Sequence, residues 1–234
     1  MKTECIPVQI EFTGLGRRKV LGTFDGGLIS SDGGAVLLRE VDARSGITEK
    51  LAACFTDYRD PDLIEHDMAA LVGQRIYGLT LGYEDLNDHD ALKWDPLLAV
   101  ALNKNDLEGE ARHREAVRGK LLASSSTSNR LEVTSADSAA ESRYKKIAHD
   151  PEKLEAFFVD LFLDSFAEAP GKIVLDFDAT DDPVHGNQEG KFFHGYYRSY
   201  CYLPLYVTCG DHVLVAKLRT SDRDAAVGSV DVLA

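Results

Sequence analysis

The 234-residue chain has few cysteines, and none of them is paired at short spacing. Cys5, Cys54, Cys201 and Cys209 are too far apart for the Cys-x-x-Cys spacing of a zinc knuckle. No apolar run approaches the roughly 20 residues that a helix needs to cross a bilayer. The N terminus also lacks the charged and then apolar pattern of a signal peptide. The sequence therefore predicts a cytoplasmic protein with no membrane partner.

Positive charge is also scarce. The formal net charge is -13, which counts against a dedicated nucleic-acid-binding domain, because such domains are usually basic. One stretch departs from this trend, since five bases between residues 112 and 130 face a single acid, Glu115. Two interpretations stay open: a solvated helix face, or a stripe that contacts phosphates. The candidate nucleic-acid residues are Arg112, Arg114, Arg118, Lys120 and Arg130, and Lys145 and Lys146 follow them.

Most of the first 166 residues follow the apolar period of helices, after a short predicted strand at residues 8–12. Ser30, Ser31 and Asp32 are predicted helix caps. Residues 83–90 are dense in acids and predict a loop that caps the next helix, and Ser124–Ser128 predicts a polar break. The predicted helices cover residues 35–41, 47–56, 61–81, 91–103, 110–122, 138–149 and 151–166.

After Pro170 and Gly171 the period changes to about two, which is typical of strands. Strands are predicted at residues 172–178, 200–209 and 213–218, with a hairpin turn at Gly210-Asp211. Helices followed by a three-stranded meander predict an α/β or α+β fold. We place the domain boundary between a mostly helical region, residues 1–150, and a catalytic region, residues 151–234.

Two acids end the first of these strands. Asp176 and Asp178 lie two residues apart on a strand that the sequence predicts to be buried, so both side chains leave the same face. Carboxylates that converge at the end of a strand repel one another unless a cation neutralises them, and Mg²⁺ prefers such oxygen ligands. A simpler interpretation holds for Asp181 and Asp182, which can cap and turn the loop. The other polar residues of this segment are Thr180, His185 and Glu189.

Two metal-dependent families begin their sites in this way. The run Asp176–Thr180 fits the Asp-x-Asp-x-Thr motif of haloacid-dehalogenase-like phosphohydrolases, in which the first Asp is a nucleophile and the second a general acid. A second resemblance covers most of residues 25–220. The chain resembles a bacterial insertion-sequence transposase with a DDE catalytic domain of group 1. The matching stretches are Ser30–Asp42, Cys54–Pro61, Tyr77–Asp90, Leu175–Gly186 and Gln188–Tyr206.

The transposase resemblance implies a ribonuclease-H-like domain that holds two Mg²⁺ ions with three carboxylates. It assigns the first carboxylate to Asp178, with Asp176 as a neighbour or alternative. The implied reaction is DNA strand cleavage and transfer, in which water attacks at the element's end and the freed 3′ hydroxyl then attacks target DNA. Residues 1–150 are expected to bind the terminal repeats and to support assembly of a homo-oligomer.

The resemblance also implies a second Asp and a later Glu, and the sequence up to Ala234 shows neither. We therefore expect a chain that is truncated at its C terminus, binds Mg²⁺ weakly and is inactive alone, so its status as an enzyme stays open. The run Ser124–Arg130 departs from the Gly-Lys-Ser-Thr type usual in the family and lacks one candidate phosphate contact. The alternatives are a non-catalytic DNA-binding or regulatory fragment, and an Asp-x-Asp-x-Thr phosphohydrolase.

Overall fold

The computed structural model describes residues 9–23 and 31–233. The chain divides into two compact units, Met1–Asp150 (unit 1) and Pro151–Ala234 (unit 2). The predicted strand start at residue 8 and the predicted cap at Ser30 lie outside the described residues. In the part that is described, seven α-helices and several small antiparallel sheets give an α+β fold. No helix of this part is long and apolar enough to cross a membrane.

Unit 1 contains six helices and two small sheets. Strands β1 (Ile10–Leu15) and β2 (Arg18–Gly22) form one antiparallel pair, and β3 (Phe55–Asp57) and β4 (Ile147–His149) form the other. The helices are α1 (Ala35–Ser45), α2 (Ile47–Ala52), α3 (Met68–Thr80), α4 (His89–Leu92), α5 (Pro96–Ala101) and α6 (Ser125–Glu132).

Helix α3 is the centre of unit 1. Its N-cap is Asp67, whose carboxylate accepts the Ala70 N–H at 2.7 Å and so satisfies one of the free amides of the first turn. Its apolar residues enter two buried clusters: Tyr77 packs with residues such as Leu98 and Leu122, and Leu71 and Val72 pack with Ala123, Leu131 and Ile147.

The buried guanidinium of Arg39 attaches the β1–β2 pair to α1 and to the segment after α5. Its side chain donates to the main-chain oxygens of Thr13 and Gly14 and, at 2.9 Å, to Asn103 Oδ1. Arg39 is only 4% exposed. A buried cation of this kind is tolerated because each of its three nitrogens donates a hydrogen bond.

The predicted helix at residues 110–122 is wrong; the described chain has a loop there with a single 3-10 turn at Glu115–Val117. The Asp106 carboxylate accepts the N–H groups of Gly109, Glu110 and Ala111, which holds the chain in a turn. Gly109 has a φ of +70°, and Gly119 donates its N–H to Gly109 O at 2.9 Å. The loop therefore closes on itself instead of continuing as a helix.

Two neighbouring predictions are also wrong. The predicted helix at residues 138–149 is replaced by turns and by β4, whose pairing with β3 supplies partners that a local helix would have supplied. The predicted polar break at Ser124–Ser128 is the first turn of α6. The Asp90 carboxylate accepts the Ser125 N–H at 3.4 Å and hydroxyl at 2.7 Å, and a negative charge stabilises a helix at this end.

Between α4 and α5 lies Trp94, the single tryptophan of the chain. It is 51% exposed and Gly119 lies against its ring, so that a methyl group added at Gly119 would meet the ring at 3.6 Å. The loop after Gly119 is tied to the same place, because the N–H groups of Leu121 and Leu122 both donate to Lys93 O.

Unit 2 begins with α7 (Pro151–Asp164), as the sequence predicts, and continues with six strands. These are β5 (Asp176–Ala179), β6 (Asp182–Pro183), β7 (Phe192–His194), β8 (Ser199–Tyr202), β9 (Leu205–Cys209) and β10 (His212–Lys217). One antiparallel sheet has the order β10-β9-β5 and the other β6-β8-β7. Helix α7 packs against β10, with the Phe162 and His212 rings 5.4 Å apart.

The hairpin of β9 and β10 forms at Gly210 as predicted, with His212 opposite Cys209. The predicted single strand at residues 200–209 is instead two strands in two different sheets. The chain changes sheets at Leu203 and Pro204, where proline has no N–H for a ladder and Leu203 donates its N–H to Arg219 O. Buried Arg219 also donates to Leu203 O at 3.0 Å, which fixes this junction.

Candidate active site and basic cavity

The two acids lie on β5, which pairs antiparallel with β9. Asp176 is opposite Thr208 and Asp178 is opposite Tyr206, so both acids lie on one face of the sheet. The other face carries Phe177 opposite Val207, which is 2% exposed. Alternation along the strand thus separates an apolar, packed face from a face that presents two carboxylates to solvent.

The prediction that this strand is buried is wrong. The strand begins only at Asp176, and the preceding Ile173 and Val174 are 50% and 63% exposed. Among the described residues β5 is an edge of its sheet with β9 as its one neighbour, so it is covered less than a central strand. Asp176 and Asp178 are both exposed.

The other polar residues of the segment do not join the pair. Within residues 9–23 and 31–233, no group of three or more His, Cys, Asp or Glu side chains is placed to hold a metal ion. Asp182 lies on β6, in the other sheet of unit 2. Two carboxylates on one strand face still fit Mg²⁺ in kind, because this ion binds through one or two carboxylates and keeps several waters.

Tyr197 is a residue near the acids to which the sequence assigned no role. Its hydroxyl donates to Ala179 O at 3.3 Å, at the end of β5. Burial chiefly, and then the negative charge of Asp181, raises the pKa of Tyr197, and Asp178 acts in the same direction. The phenol therefore keeps its proton, which it donates to Ala179 O at the end of the strand that carries the two acids.

A second feature lies in unit 1 and gathers most of the candidate cations. We call it the basic cavity; its volume is about 260 Å³. Four of the five candidate nucleic-acid residues line it, and Arg118 does not. The charged side chains around it are Arg59, Arg112, Arg114, Lys120, Arg130 and Lys146, with Asp60 and Glu65, and the remaining lining residues are Leu63, Ile64, His66, Val117, Leu122, Ser124 and Thr127.

Two of these cations are held by the protein itself. The Arg59 guanidinium forms a paired contact with the Asp57 carboxylate, at 2.8 Å from Nε and 2.6 Å from Nη2. The Arg112 guanidinium donates to the main-chain oxygens of Glu65, Lys120 and Leu121. It thereby ties the loop of residues 110–122, which we call the basic loop, to the segment just before α3. The Glu65 carboxylate lies 3.9 Å from Arg112 Nη1.

The other four cations have no ion-pair partner among the described residues. Lys120 donates to Ala116 O at 3.0 Å, which leaves its charge unneutralised. Arg114, Arg130 and Lys146 make no side-chain hydrogen bond in the part of the chain that the structure describes. The cavity therefore carries an excess of positive charge in a chain whose net charge is strongly negative.

His66 lines the same cavity, and nearby positive charges affect its pKa. It is 8% exposed, and its Nδ1 has no hydrogen-bond partner in the described structure. Burial, and then the charges of Arg112, Lys104 and Arg59, lower the pKa of His66 from 6.5 to about 3. Burial is the main reason that His66 stays neutral, and the charges of Arg112 and Arg59, which also line the cavity, act in the same direction.

Sequence reasoning found the loop cations through their local charge excess, but it missed Arg59 and its place beside them. Arg59 is more than fifty positions away and stands between acids, so no local charge pattern marks it. The pairing of β3 with β4 brings the segment of Arg59 beside that of Lys146, and Tyr58 donates its N–H to Lys146 O at 2.7 Å.

Comparison with known proteins concerns the chain as a whole. A family model described as transposase DDE domain group 1 matches residues 12–234, which is nearly the whole chain. No curated protein and no solved structure gave a match.

Proposed function

Since the chain belongs to the transposase DDE domain family of group 1, we propose that it acts in DNA transposition, as part of an insertion-sequence transposase that cleaves DNA strands and transfers them to target DNA. The family match carries this proposal. Two features described above support it: the exposed pair of carboxylates in unit 2 matches in kind two of the metal ligands that such a reaction uses, and the basic cavity in unit 1 offers cations to DNA phosphates.

In this proposal unit 2 supplies the start of a ribonuclease-H-like site. Asp178 holds Mg²⁺, and Asp176, on the same strand face, is its neighbour or its substitute. When bound, Mg²⁺ activates an attacking oxygen and stabilises the leaving oxygen in phosphodiester chemistry. Hydrogen bonding of β5 to β9 fixes the spacing of the two acids, which lowers the cost of bringing them together on one ion.

We expect the pair to bind Mg²⁺ weakly. Sites of this family use three carboxylates, and among the described residues no third His, Cys, Asp or Glu is placed to complete a metal site with the pair. Each further carboxylate adds negative charge and a fixed ligand. A site with two carboxylates therefore leaves more water on the ion than a site with three, and it releases the ion more easily. The chain alone is then expected to bind DNA without cutting it.

Unit 1 supplies the DNA contact through the basic cavity. Most of the affinity of a protein for DNA comes from neutralising phosphates, and it is concentrated where cations are unpaired. Arg114, Lys120, Arg130 and Lys146 are such cations. Their grouping also answers the objection raised by the net charge of -13, because repulsion is spread over the molecule and attraction is local.

The test is salt-dependent binding of a fluorescein-labelled DNA duplex, followed by fluorescence anisotropy. The cavity variant carries Arg130→Gln and Lys146→Gln. The matched control carries Arg17→Gln and Lys172→Gln, which removes the same charge from exposed positions that do not line the cavity and are not among the candidate nucleic-acid residues. We expect the cavity variant to weaken binding and to reduce the slope of log K against log salt by about one, which corresponds to one phosphate contact.

The matched control should keep the slope of the unmodified chain. Equal losses in both double variants would contradict a role for the cavity and would leave only diffuse attraction by surface charge. Absence of binding by the unmodified chain at low salt would refute the proposed contact with DNA altogether.

A second candidate function is that of a non-catalytic DNA-binding or regulatory protein. The observation that favours it is the short supply of metal ligands among the described residues. Incubation with supercoiled plasmid and Mg²⁺ tests this second candidate. Nicking that is lost in Asp178→Asn would refute it, whereas binding without nicking is expected under both candidates.

A further inference from the structure

The shape of the basic cavity says more about its ligand than the charge of the cavity does. A duplex is held by cations spread along a surface, because its phosphates are spaced along a rod. Here the cations surround a recess of about 260 Å³. Since one water occupies about 30 Å³ in the liquid, this recess has room for a small polyatomic ion together with a few waters.

Charges in the recess are not balanced. Asp57 neutralises Arg59, and the nearest carboxylate to Arg112 is that of Glu65, at 3.9 Å. Arg114, Lys120, Arg130 and Lys146 then have only Asp60 among the remaining charged lining residues of opposite sign. Like charges around one space repel one another, so the arrangement is stabilised by an anion that enters it.

The lining also has neutral donors and apolar walls. Ser124 and Thr127 line the recess, with the Ser124 hydroxyl 3.1 Å from that of Ser126, and Leu63, Ile64 and Leu122 form apolar parts of its wall. The N terminus of α6 is not available to an anion, because the Asp90 carboxylate from α4 already accepts hydrogen bonds there. Apolar walls lower the local dielectric and so strengthen the contact between an anion and the surrounding cations.

We propose that the basic cavity binds a single phosphate group, with Arg114, Lys120, Arg130 and Lys146 as its cationic contacts and Ser124 and Thr127 as hydroxyl donors. This inference rests on the proposed function, because it takes DNA as the source of the phosphate. A phosphate has several oxygens directed apart, and it can accept hydrogen bonds from several cations at once. A carboxylate offers two oxygens in one plane and would leave part of this ring of donors unused.

The pKa of His66 provides a separate measurement of phosphate binding in the cavity. Its neutral state reflects burial and the positive charges around it, and a bound phosphate would offset those charges. The pKa of His66 should therefore rise when phosphate binds. The shift would be seen in the imidazole signals of this residue by NMR, with exposed His113 as the internal comparison.

The experiment titrates the full chain with inorganic phosphate by calorimetry at constant ionic strength, with chloride as the replaced anion. The unmodified chain should bind one phosphate. The variant with Arg130→Gln and Lys146→Gln should bind it at least about fivefold more weakly, and the variant with Arg17→Gln and Lys172→Gln should stay within about twofold of the unmodified chain. Absence of binding, or equal weakening in both variants, would overturn the inference.

Two sources of the phosphate are then separated with single-stranded oligonucleotides. A 5′-phosphorylated strand that binds more tightly than its 5′-hydroxyl counterpart, only when the cavity is intact, indicates a strand terminus. Equal binding of the two strands, still lost in the cavity variant, indicates an internal backbone phosphate. Both outcomes support the cavity as a phosphate site, and loss of the difference between cavity and control variants would refute it.

Failure of this inference can be told apart from failure of the proposed function. Binding of DNA that depends on the cavity, without any binding of inorganic phosphate, would refute the single-phosphate site and would leave the DNA contact standing. Binding of inorganic phosphate without any binding of DNA would keep the site and refute its proposed place in transposition.

Discussion

Gln74 and Ala123 exchange a pair of hydrogen bonds in the interior of unit 1. The Gln74 Nε2 donates to Ala123 O at 2.9 Å, and the Ala123 N–H donates to Gln74 Oε1 at 2.9 Å. Gln74 Nε2 also lies 2.8 Å from His89 Nδ1, so one amide serves three polar groups that are closed off from water. This contact joins α3 to the segment that leads from the basic loop into α6.

Replacement of Gln74 by Leu should therefore destabilise unit 1 strongly. Gln74 is 1% exposed, and its loss leaves a buried N–H, a buried carbonyl and a buried ring nitrogen without partners. The expected loss in the free energy of unfolding is about 3 kcal/mol. Urea denaturation followed by circular dichroism measures it, and exposed Gln9→Leu is the control, which should change the stability little.

The second prediction concerns pH. The folded pKa of His66 is lowered to about 3, and the unfolded chain takes up this proton near pH 6.5. The unfolded state therefore binds more protons over this range, and stability falls as the pH drops from about 6.5 toward 3, by up to about 1.4 kcal/mol per pH unit. His66→Gln should flatten this dependence, and exposed His113→Gln should not. An unchanged slope in His66→Gln would contradict the assignment.

The third prediction separates structure from binding among the cations. Arg112→Gln removes donors from three main-chain carbonyls and should cost about 2–4 kcal/mol of unfolding free energy. Arg114→Gln, at an exposed side chain of the same loop, should cost less than about 0.5 kcal/mol. Thermal and urea unfolding of the two variants give the comparison, and similar losses in both would show that Arg112 has no special structural role.

The fourth prediction tests the loop itself. A methyl group added at Gly109 would lie 2.7–2.9 Å from the backbone of Gly119, and Gly109 has a φ of +70°. Gly109→Ala should therefore cost at least about 2 kcal/mol, because neither the contact nor the backbone angle suits an L residue. Gly33→Ala is the control, since a methyl group there meets no atom within 4 Å. Chemical denaturation of both variants checks the difference.

The fifth prediction concerns the metal. Titration with Mn²⁺, a paramagnetic substitute for Mg²⁺, should broaden the NMR signals of Thr208 and Tyr206, the cross-strand neighbours of the two acids. Asp178→Asn should weaken this effect by roughly tenfold, because a two-carboxylate site loses half of its charge. Asp211→Asn, at the exposed hairpin turn, should leave it unchanged. Broadening that survives in Asp178→Asn and in Asp176→Asn would place the ion elsewhere.

Some elements of the fold could be predicted from the local sequence pattern alone. The helix at Pro151–Asp164 and the β9–β10 hairpin were predicted because apolar period and turn residues act within a few positions of one another. The family was recognised from motifs spread along the chain, and the family model confirms it.

Other features depend on partners distant in sequence. The chain around residue 147 became a strand because β3, ninety positions earlier, supplies its ladder. In place of its predicted helix, the loop that carries the basic residues is closed by the hydrogen bond from the Gly119 N–H to Gly109 O, ten positions apart, which local periodicity does not report. The basic cavity could be predicted in its charge but not in its shape, because Arg59 reaches it only through tertiary pairing.

Trp94 gives the two units separate optical signatures. It is the single tryptophan, it lies in unit 1 and it is half exposed beside Gly119. Fluorescence excited at the red edge of protein absorption therefore comes from unit 1 alone, while unit 2 contributes only tyrosine emission. The unmodified chain thus carries a built-in reporter, with which the unfolding of one unit can be followed without a label and compared with the circular dichroism of both.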